Sequence, residues 1–269
     1  MVMRLFAVVL LLSSGAAAET ITLASTTSTE NSGLFAYLLP QFERDTGIAV
    51  QVIAVGTGQA IRLARNGDAD VVLVHHRASE EALVVDGHGL ARHDVMANDF
   101  VIVGPADDPA EIGAADTAAD AFARIAGTAV PFASRGDDSG THMAERAVWQ
   151  EAAIDPLPAS GGWYRELGAG MGATLNTAAA MAAYTFSDRA TWATFANKVS
   201  LELLFEGDAA LVNAYGVIAI NPARHPHVNA AAARAFVDWL LSPVGQGAIA
   251  GFEVNGEQLF FPAYLAATD

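Results

Sequence analysis

Three short stretches of this 269-residue chain combine hydroxyl side chains with glycine where a predicted strand passes into a predicted helix. They are "STTST" at residues 25–29, "GTG" around Thr57, and "SRGDDSGTH" at residues 134–142, with Ser139 and Thr141 on the first turn of the next helix. Helix N-termini present unpaired N–H groups and a partial positive charge, so such turns favour anions. Helix capping alone explains any one of them. Three in one chain, one of them with an embedded arginine, indicate an anion-binding site.

Arg135 is the strongest single candidate, because its planar guanidinium can present a fork of donors to an oxyanion. The alternative is a structural salt bridge with Asp137 or Asp138. A protonated oxyanion such as hydrogen phosphate needs an acceptor, whereas a fully ionised tetrahedral oxyanion needs donors only. An aspartate that faces the ligand would favour phosphate. Aspartates that cap amides or pair with the arginine would favour a tungstate-, molybdate- or sulfate-like anion, and the sequence leaves both possibilities open.

Two other chemistries compete with anion binding. His75 and His76 follow a predicted strand and could suggest a metal site, but neighbours on a strand point to opposite faces and the chain has no cysteine. A secreted hydrolase would need Ser139, His142 and an aspartate as a triad. However, there is no G-x-S-x-G turn, and the serine and the histidine stand three residues apart at one helix start. We therefore expect no metal site, no cofactor and no enzymatic activity.

Alternating strand and helix patterns must position these turns. Strands are predicted at residues 20–25, 48–55, 69–76, 98–105 and 213–222, and helices at residues 31–47, 57–67 and 79–89. This order predicts an α/β fold with helix-flanked sheets, in which ligands bind beyond the carboxyl ends of the strands. We expect two lobes, the first formed by residues 19–103 and 213–269 and the second by residues 104–212.

The first 18 residues have the pattern of a cleavable secretory signal peptide, because Arg4 precedes an apolar run at residues 5–12 and small residues end at Ala18. That run is too short to span a membrane. An exported chain without cysteine has no disulfide framework, so we expect a soluble periplasmic protein. The formal net charge of −16 argues against nucleic acid or an anionic membrane as partner. Local donors can still outweigh this diffuse charge, which salt screens over ~8 Å.

Seven longer motifs are distributed along the mature chain: "TTSTENSGL", "AVGTGQAIRLARNGDADVVLVHH", "NDFVIVGP", "PFASRGDDSGTH", "WYRELGAGMGATL", "AYTFSDRAT" and "YGVIAINPARHPHVN". In sequence and order they resemble the periplasmic tungstate-binding proteins of ABC uptake systems. The resemblance implies a two-lobe, type II periplasmic-binding fold that closes over one oxyanion in the cleft between the lobes, without covalent chemistry. It implies tungstate as the ligand, with molybdate or phosphate as alternatives, and a membrane permease as partner. We expect a monomer.

The resemblance also implies which side chains contact the anion. Its motifs fall on Thr27, Ser28 and Thr57 in the first lobe and on Arg135, Ser139 and Thr141 in the second, with Ser25, Thr26 and Ser187 as further candidates. Ser25 and Ser187 depart from the family pattern, which usually has threonine at both positions. Each keeps a hydroxyl group, so only the details of these two contacts are affected.

Overall fold

The computed structural model describes residues 19–263, and the predicted signal peptide lies outside these described residues. The strands are β1 (Glu19–Thr26), β2 (Ile48–Val55), β3 (Val71–Val74), β4 (Gly89–Pro105), β5 (Phe132–Ser134), β6 (Tyr164–Glu166), β7 (Tyr184–Asp188), β8 (Leu201–Phe205), β9 (Val212–Ile220), β10 (Glu253–Val254), β11 (Glu257–Gln258) and β12 (Phe261–Pro262). The α-helices are α1 (Thr27–Asn31), α2 (Leu34–Thr46), α3 (Thr57–Asn66), α4 (Arg77–Val85), α5 (Ala118–Thr128), α6 (Gly140–Glu151), α7 (Met171–Met181), α8 (Arg189–Thr194), α9 (Ala230–Leu241) and α10 (Pro243–Ala250). Across residues 19–263, no helix has the length and apolar character needed to cross a membrane.

Ten of the strands belong to one mixed sheet with the order β2-β1-β3-β9-β4-β7-β5-β6, and β8 and β12 both pair with β4. β1 is parallel to β2 and β3, while β9 returns antiparallel between β3 and β4. β5 is parallel to β6 and β7. The predicted α/β class with helix-flanked sheets is confirmed. Because β1, β2 and β3 run in the same direction, the turns that follow them lie at one edge of the sheet.

Two long strands carry the chain between the halves of the molecule. β4 pairs with β9 up to Asp99 and with β7 from Phe100 onward. β9 begins at the same level, with Val212 opposite Asp99 and Asn213 opposite Asn98. The sheet partners of β4 therefore change a few residues before residue 103. The lobe boundaries at residues 103 and 213 stay predictions.

Each half has apolar cores of its own, as separate lobes require. In the first half one core packs beneath α2 and α9 and another beneath α3 and α4. In the second half one core packs beneath α5 and α6 and another beneath α7 and α8. Helices thus cover both faces of the sheet, which explains why every residue of β3, "VVLV", is apolar and buried.

Backbone conformation at glycine sets the ends of the first-lobe helices. Gly47 after α2 and Gly67 after α3 adopt the left-handed conformation that a helix C-terminus favours, as the sequence predicted. The predicted helix at residues 31–47 is divided at Gly33, which has a φ of 84° and separates α1 from α2. Pro40 lies inside α2, and the helix continues through it to Thr46.

Candidate functional site

The three hydroxyl-rich turns meet at one small cavity between the two halves. The first half contributes the starts of α1 and α3 and the end of β3, and the second half contributes the end of β5 and the start of α6. The lining residues are Thr26, Thr27, Ser28, Val55, Gly56, Thr57, His75, Arg135, Ser139, Gly140 and Thr141. Among these described residues none carries a carboxylate. The polar groups of the wall are hydroxyls, helix-start amides, one imidazole and one guanidinium.

The first turn supplies hydroxyls from a short helix start. Thr26 is the N-cap of α1, and its Oγ1 lies 3.1 Å from Ser28 Oγ. Thr27 and Ser28 are the first two residues of α1, and all three residues line the cavity. Ser25 does not line it, because its Oγ donates to the carbonyl oxygen of Leu73 at 2.6 Å and ties β1 to β3. Ser25 therefore stabilises the sheet and does not line the cavity.

The second turn brings in a buried hydroxyl without a partner. Thr57 is the first residue of α3, directly after Gly56, and its side chain is buried. Its Oγ1 has no hydrogen-bond partner among the described residues. Leaving a buried hydroxyl unpaired costs about 1–3 kcal/mol. Such an orphaned donor fits a cavity whose ligand supplies an acceptor.

The third turn places the start of α6 opposite the start of α3. Ser139 is the N-cap of α6, and its Oγ accepts the backbone N–H of His142 at 3.2 Å. Its side chain is also hydrogen-bonded to Asp137. Thr141 Oγ1 lies 3.5 Å from Nη1 of Arg135. Two helix N-termini, from opposite halves, therefore converge on one cavity, and their dipoles add positive potential there.

A carboxylate outside the cavity holds the guanidinium of Arg135. Nη2 and Nε of Arg135 donate to Oδ2 of Asp137 at 2.6 and 3.2 Å, and the backbone N–H of Ser139 donates to Oδ1 at 3.2 Å. Burial raises the pKa of Asp137, but the hydrogen bonds from Ser139 and the charge of Arg135 together outweigh it, and the net shift is downward. Asp137 is therefore an ionised brace with both oxygens engaged. The side chain of Asp138 is 91% exposed, and neither aspartate lines the cavity.

His75 also lines the cavity, although the sequence suggested only a metal site for it. Its Nδ1 lies 2.9 Å from Oδ1 of Asn213, and its ring centroid is 4.9 Å from that of Tyr215. Desolvation lowers the pKa of His75 to about 4, so the imidazole is neutral at neutral pH. His76 makes a separate contact, with its Nδ1 2.7 Å from Ser79 Oγ. The signal that could have identified His75 is its place at the end of a buried strand whose neighbours end in hydroxyl turns.

Ser187 and His142 lie outside the cavity wall. Ser187 is on β7, where its Oγ donates to the carbonyl oxygen of Asp188 at 3.0 Å. Nδ1 of His142 accepts the backbone N–H of Asp138 at 3.1 Å, so this nitrogen is not paired with Ser139 Oγ as a general base would be. In the described part of the chain, no three His, Cys, Asp or Glu side chains are grouped to hold a metal ion.

Comparison with known proteins places this geometry in a family. A PBP superfamily domain matches residues 13–244. The tungstate-binding protein TupA of Peptoclostridium acidaminophilum is 46% identical over 246 residues, which cover 90% of this chain and 85% of that protein. The structure of the tungstate-binding protein TupA from Desulfovibrio alaskensis G20 shares 44% identity at a TM-score of 0.81, over 91% of this chain and 99% of that chain. The structure described as the tungstate ABC transporter from Geobacter sulfurreducens shares 46% identity at a TM-score of 0.80, over 88% and 100% of the two chains. This chain therefore belongs to the PBP superfamily and, within it, to the family of the TupA proteins.

Proposed function

We propose that this protein is a periplasmic solute-binding protein that captures tungstate and delivers it to the permease of an ABC transporter. The observation that carries the proposal is the carboxylate-free wall of the cavity, in which Arg135 is held by Asp137 and two helix N-termini converge. A fully ionised tetrahedral dianion can accept hydrogen bonds from all of these donors and needs no acceptor in return.

The orientation of the two aspartates bears on the choice of anion. Hydrogen phosphate carries a proton that needs an acceptor, but Asp137 is engaged by Arg135 and Ser139, and Asp138 points to solvent. This arrangement favours an unprotonated anion over phosphate. Tungstate is preferred to molybdate because the TupA relatives are named for tungstate. Molybdate has nearly the same size and charge and is the alternative.

Capture proceeds by closure of the two lobes around the anion. The anion docks on the starts of α1 and α3, and closure brings Arg135 and the start of α6 over it. Excluding water strengthens each hydrogen bond, because the local dielectric falls. The permease then recognises the closed form. No covalent bond to the anion is made or broken, and we expect the protein to act as an exported monomer.

Competition calorimetry with tungstate, molybdate, sulfate and phosphate tests the proposal. We expect one tungstate or molybdate per chain, bound far more tightly than sulfate or phosphate. Tungstate affinity should be constant from about pH 6.5 to 8, because the pKa of His75 is about 4 and that of Asp137 is lowered, so neither group titrates in this range. Tight, pH-dependent phosphate binding would contradict the proposal. Turnover of an ester substrate, without thermal stabilisation by tungstate, would favour the hydrolase instead.

A further inference from the structure

The two halves of the molecule touch directly beside the cavity, at Gly140. A Cβ atom built on Gly140 would lie 2.6 Å from Cε1 of His75, 3.0 Å from its Nδ1 and 3.1 Å from Oγ1 of Thr57. Real Cβ atoms essentially never approach another heavy atom within 3.0 Å. Gly140 is the first residue of α6 and is not among the glycines with positive φ, so its backbone conformation does not require glycine. Glycine is required there by lack of space, because the first half of the molecule occupies the volume that a side chain would need.

The His75 ring on the other side of this contact is held rigidly. It is 9% exposed, its Nδ1 is 2.9 Å from Asn213 Oδ1, and its ring packs against Tyr215. Nδ2 of Asn213 in turn donates to Oδ1 of Asn98 at 2.6 Å, and these two asparagines face each other where β4 and β9 cross between the halves. A ring tied to the crossing strands cannot move aside as the end of a long side chain can. It therefore acts as a fixed surface.

We propose that the contact between His75 and Gly140 is the stop that limits lobe closure. It sets the distance between the starts of α3 and α6, and with it the size of the tetrahedral anion that both lobes can grip at once. His75 and Gly140 are positioning residues in this scheme, because they act through the separation of the donors on the two lobes. The inference rests on the proposed function and assigns a determinant of anion size within the same site.

Tungstate binding to four variants tests this assignment by a double-mutant cycle. Gly140→Ala, His75→Ser and the double variant are compared with the wild-type protein in calorimetry and in stopped-flow dissociation. Gly127→Ala is the matched control, because Gly127 lies in α5, is exposed and has no atom within 4 Å of an added Cβ. His75→Ala provides a second background should the serine variant fold poorly.

In the wild-type background, Gly140→Ala should weaken tungstate binding about tenfold or more and speed its release, because the added methyl overpacks the closed contact. In the His75→Ser background the same substitution should cost about threefold or less, since the ring that it strikes has been removed. Gly127→Ala should bind as the wild-type protein does. An equal loss of tungstate affinity in both backgrounds, or no loss of affinity in Gly140→Ala, would overturn the inference. Failure of the wild-type protein to bind tungstate would instead refute the proposed function.

Discussion

Replacing Arg135 by alanine removes the one guanidinium that the described residues contribute to the cavity wall. Two of its three nitrogens are engaged by Asp137, and Nη1 has only a long contact of 3.5 Å with Thr141 Oγ1. Nη1 is therefore the nitrogen available to the anion. A charge-assisted hydrogen bond contributes about 1.5–3 kcal/mol, so Arg135→Ala should weaken tungstate binding by roughly 10- to 150-fold.

The substitution has a second effect, because it leaves the carboxylate of Asp137 without its partner. An unpaired negative charge beside the site repels a dianion, so Arg135→Ala should lose more binding free energy than the hydrogen bond alone contributes. The double variant Arg135→Ala/Asp137→Ala removes that charge as well, and we expect it to bind tungstate more tightly than the single variant. Arg135→Lys should fall between wild type and alanine, since lysine keeps the charge but loses the forked contact with Asp137.

Isothermal titration calorimetry with tungstate at constant ionic strength is the appropriate measurement. Arg165→Ala is the matched control, because Arg165 is exposed on β6 and its loss changes the net charge by the same amount. The control should retain wild-type affinity. If Arg135→Ala binds tungstate within about threefold of wild type, Arg135 does not contact the anion. If the double variant binds no better than the single one, Asp137 is not acting as a charge brace.

Three further substitutions separate binding from stability. Thr57→Val removes an orphaned hydroxyl, so calorimetry should show about tenfold weaker tungstate binding while urea unfolding without anion shows equal or higher stability. Ser25→Ala removes the hydrogen bond to the Leu73 carbonyl oxygen, so it should lower the free energy of unfolding by about 1–2 kcal/mol and leave tungstate affinity unchanged. A large loss of tungstate affinity would instead place Ser25 at the anion. Burial raises the pKa of Glu145 to about 7, above its ordinary value of 4.5. The protonated carboxyl group therefore stabilises the folded protein fully below about pH 4.5, and this stabilisation is lost as the pH rises through 7. Wild-type stability should therefore fall by about 2 kcal/mol through this group between about pH 5 and 7.5, and Glu145→Gln should remove that slope in urea unfolding; an unchanged slope would assign it to other groups.

Much of the fold and of the cavity could be predicted from local patterns. Hydrophobic periodicity and glycine stops are properties of neighbouring residues, and they predicted β1, β2, β3 and α3 in the order observed. The strand-to-helix turns could be recognised for the same reason, since hydroxyls and glycine before a helix mark an N-terminus whatever surrounds it. Parallel strands then require these turns to share one edge of the sheet. All six principal site candidates lie at the cavity, and their contact with the anion stays a prediction.

The roles of individual side chains depended on partners far away in the chain. Ser25 and Thr26 are equivalent as hydroxyls in the sequence, but the first bonds to a carbonyl 48 residues away and only the second lines the cavity. His75 acquires its place through an asparagine 138 residues away. Whether Asp137 faces the ligand or Arg135 depends on the backbone conformation of the turn between β5 and α6. Local patterns could therefore predict most of the elements and an anion as the kind of ligand, because both follow from the chemistry of neighbouring residues. Which polar groups line the cavity depends on the fold, because hydrogen-bond partners are chosen by distance in three dimensions.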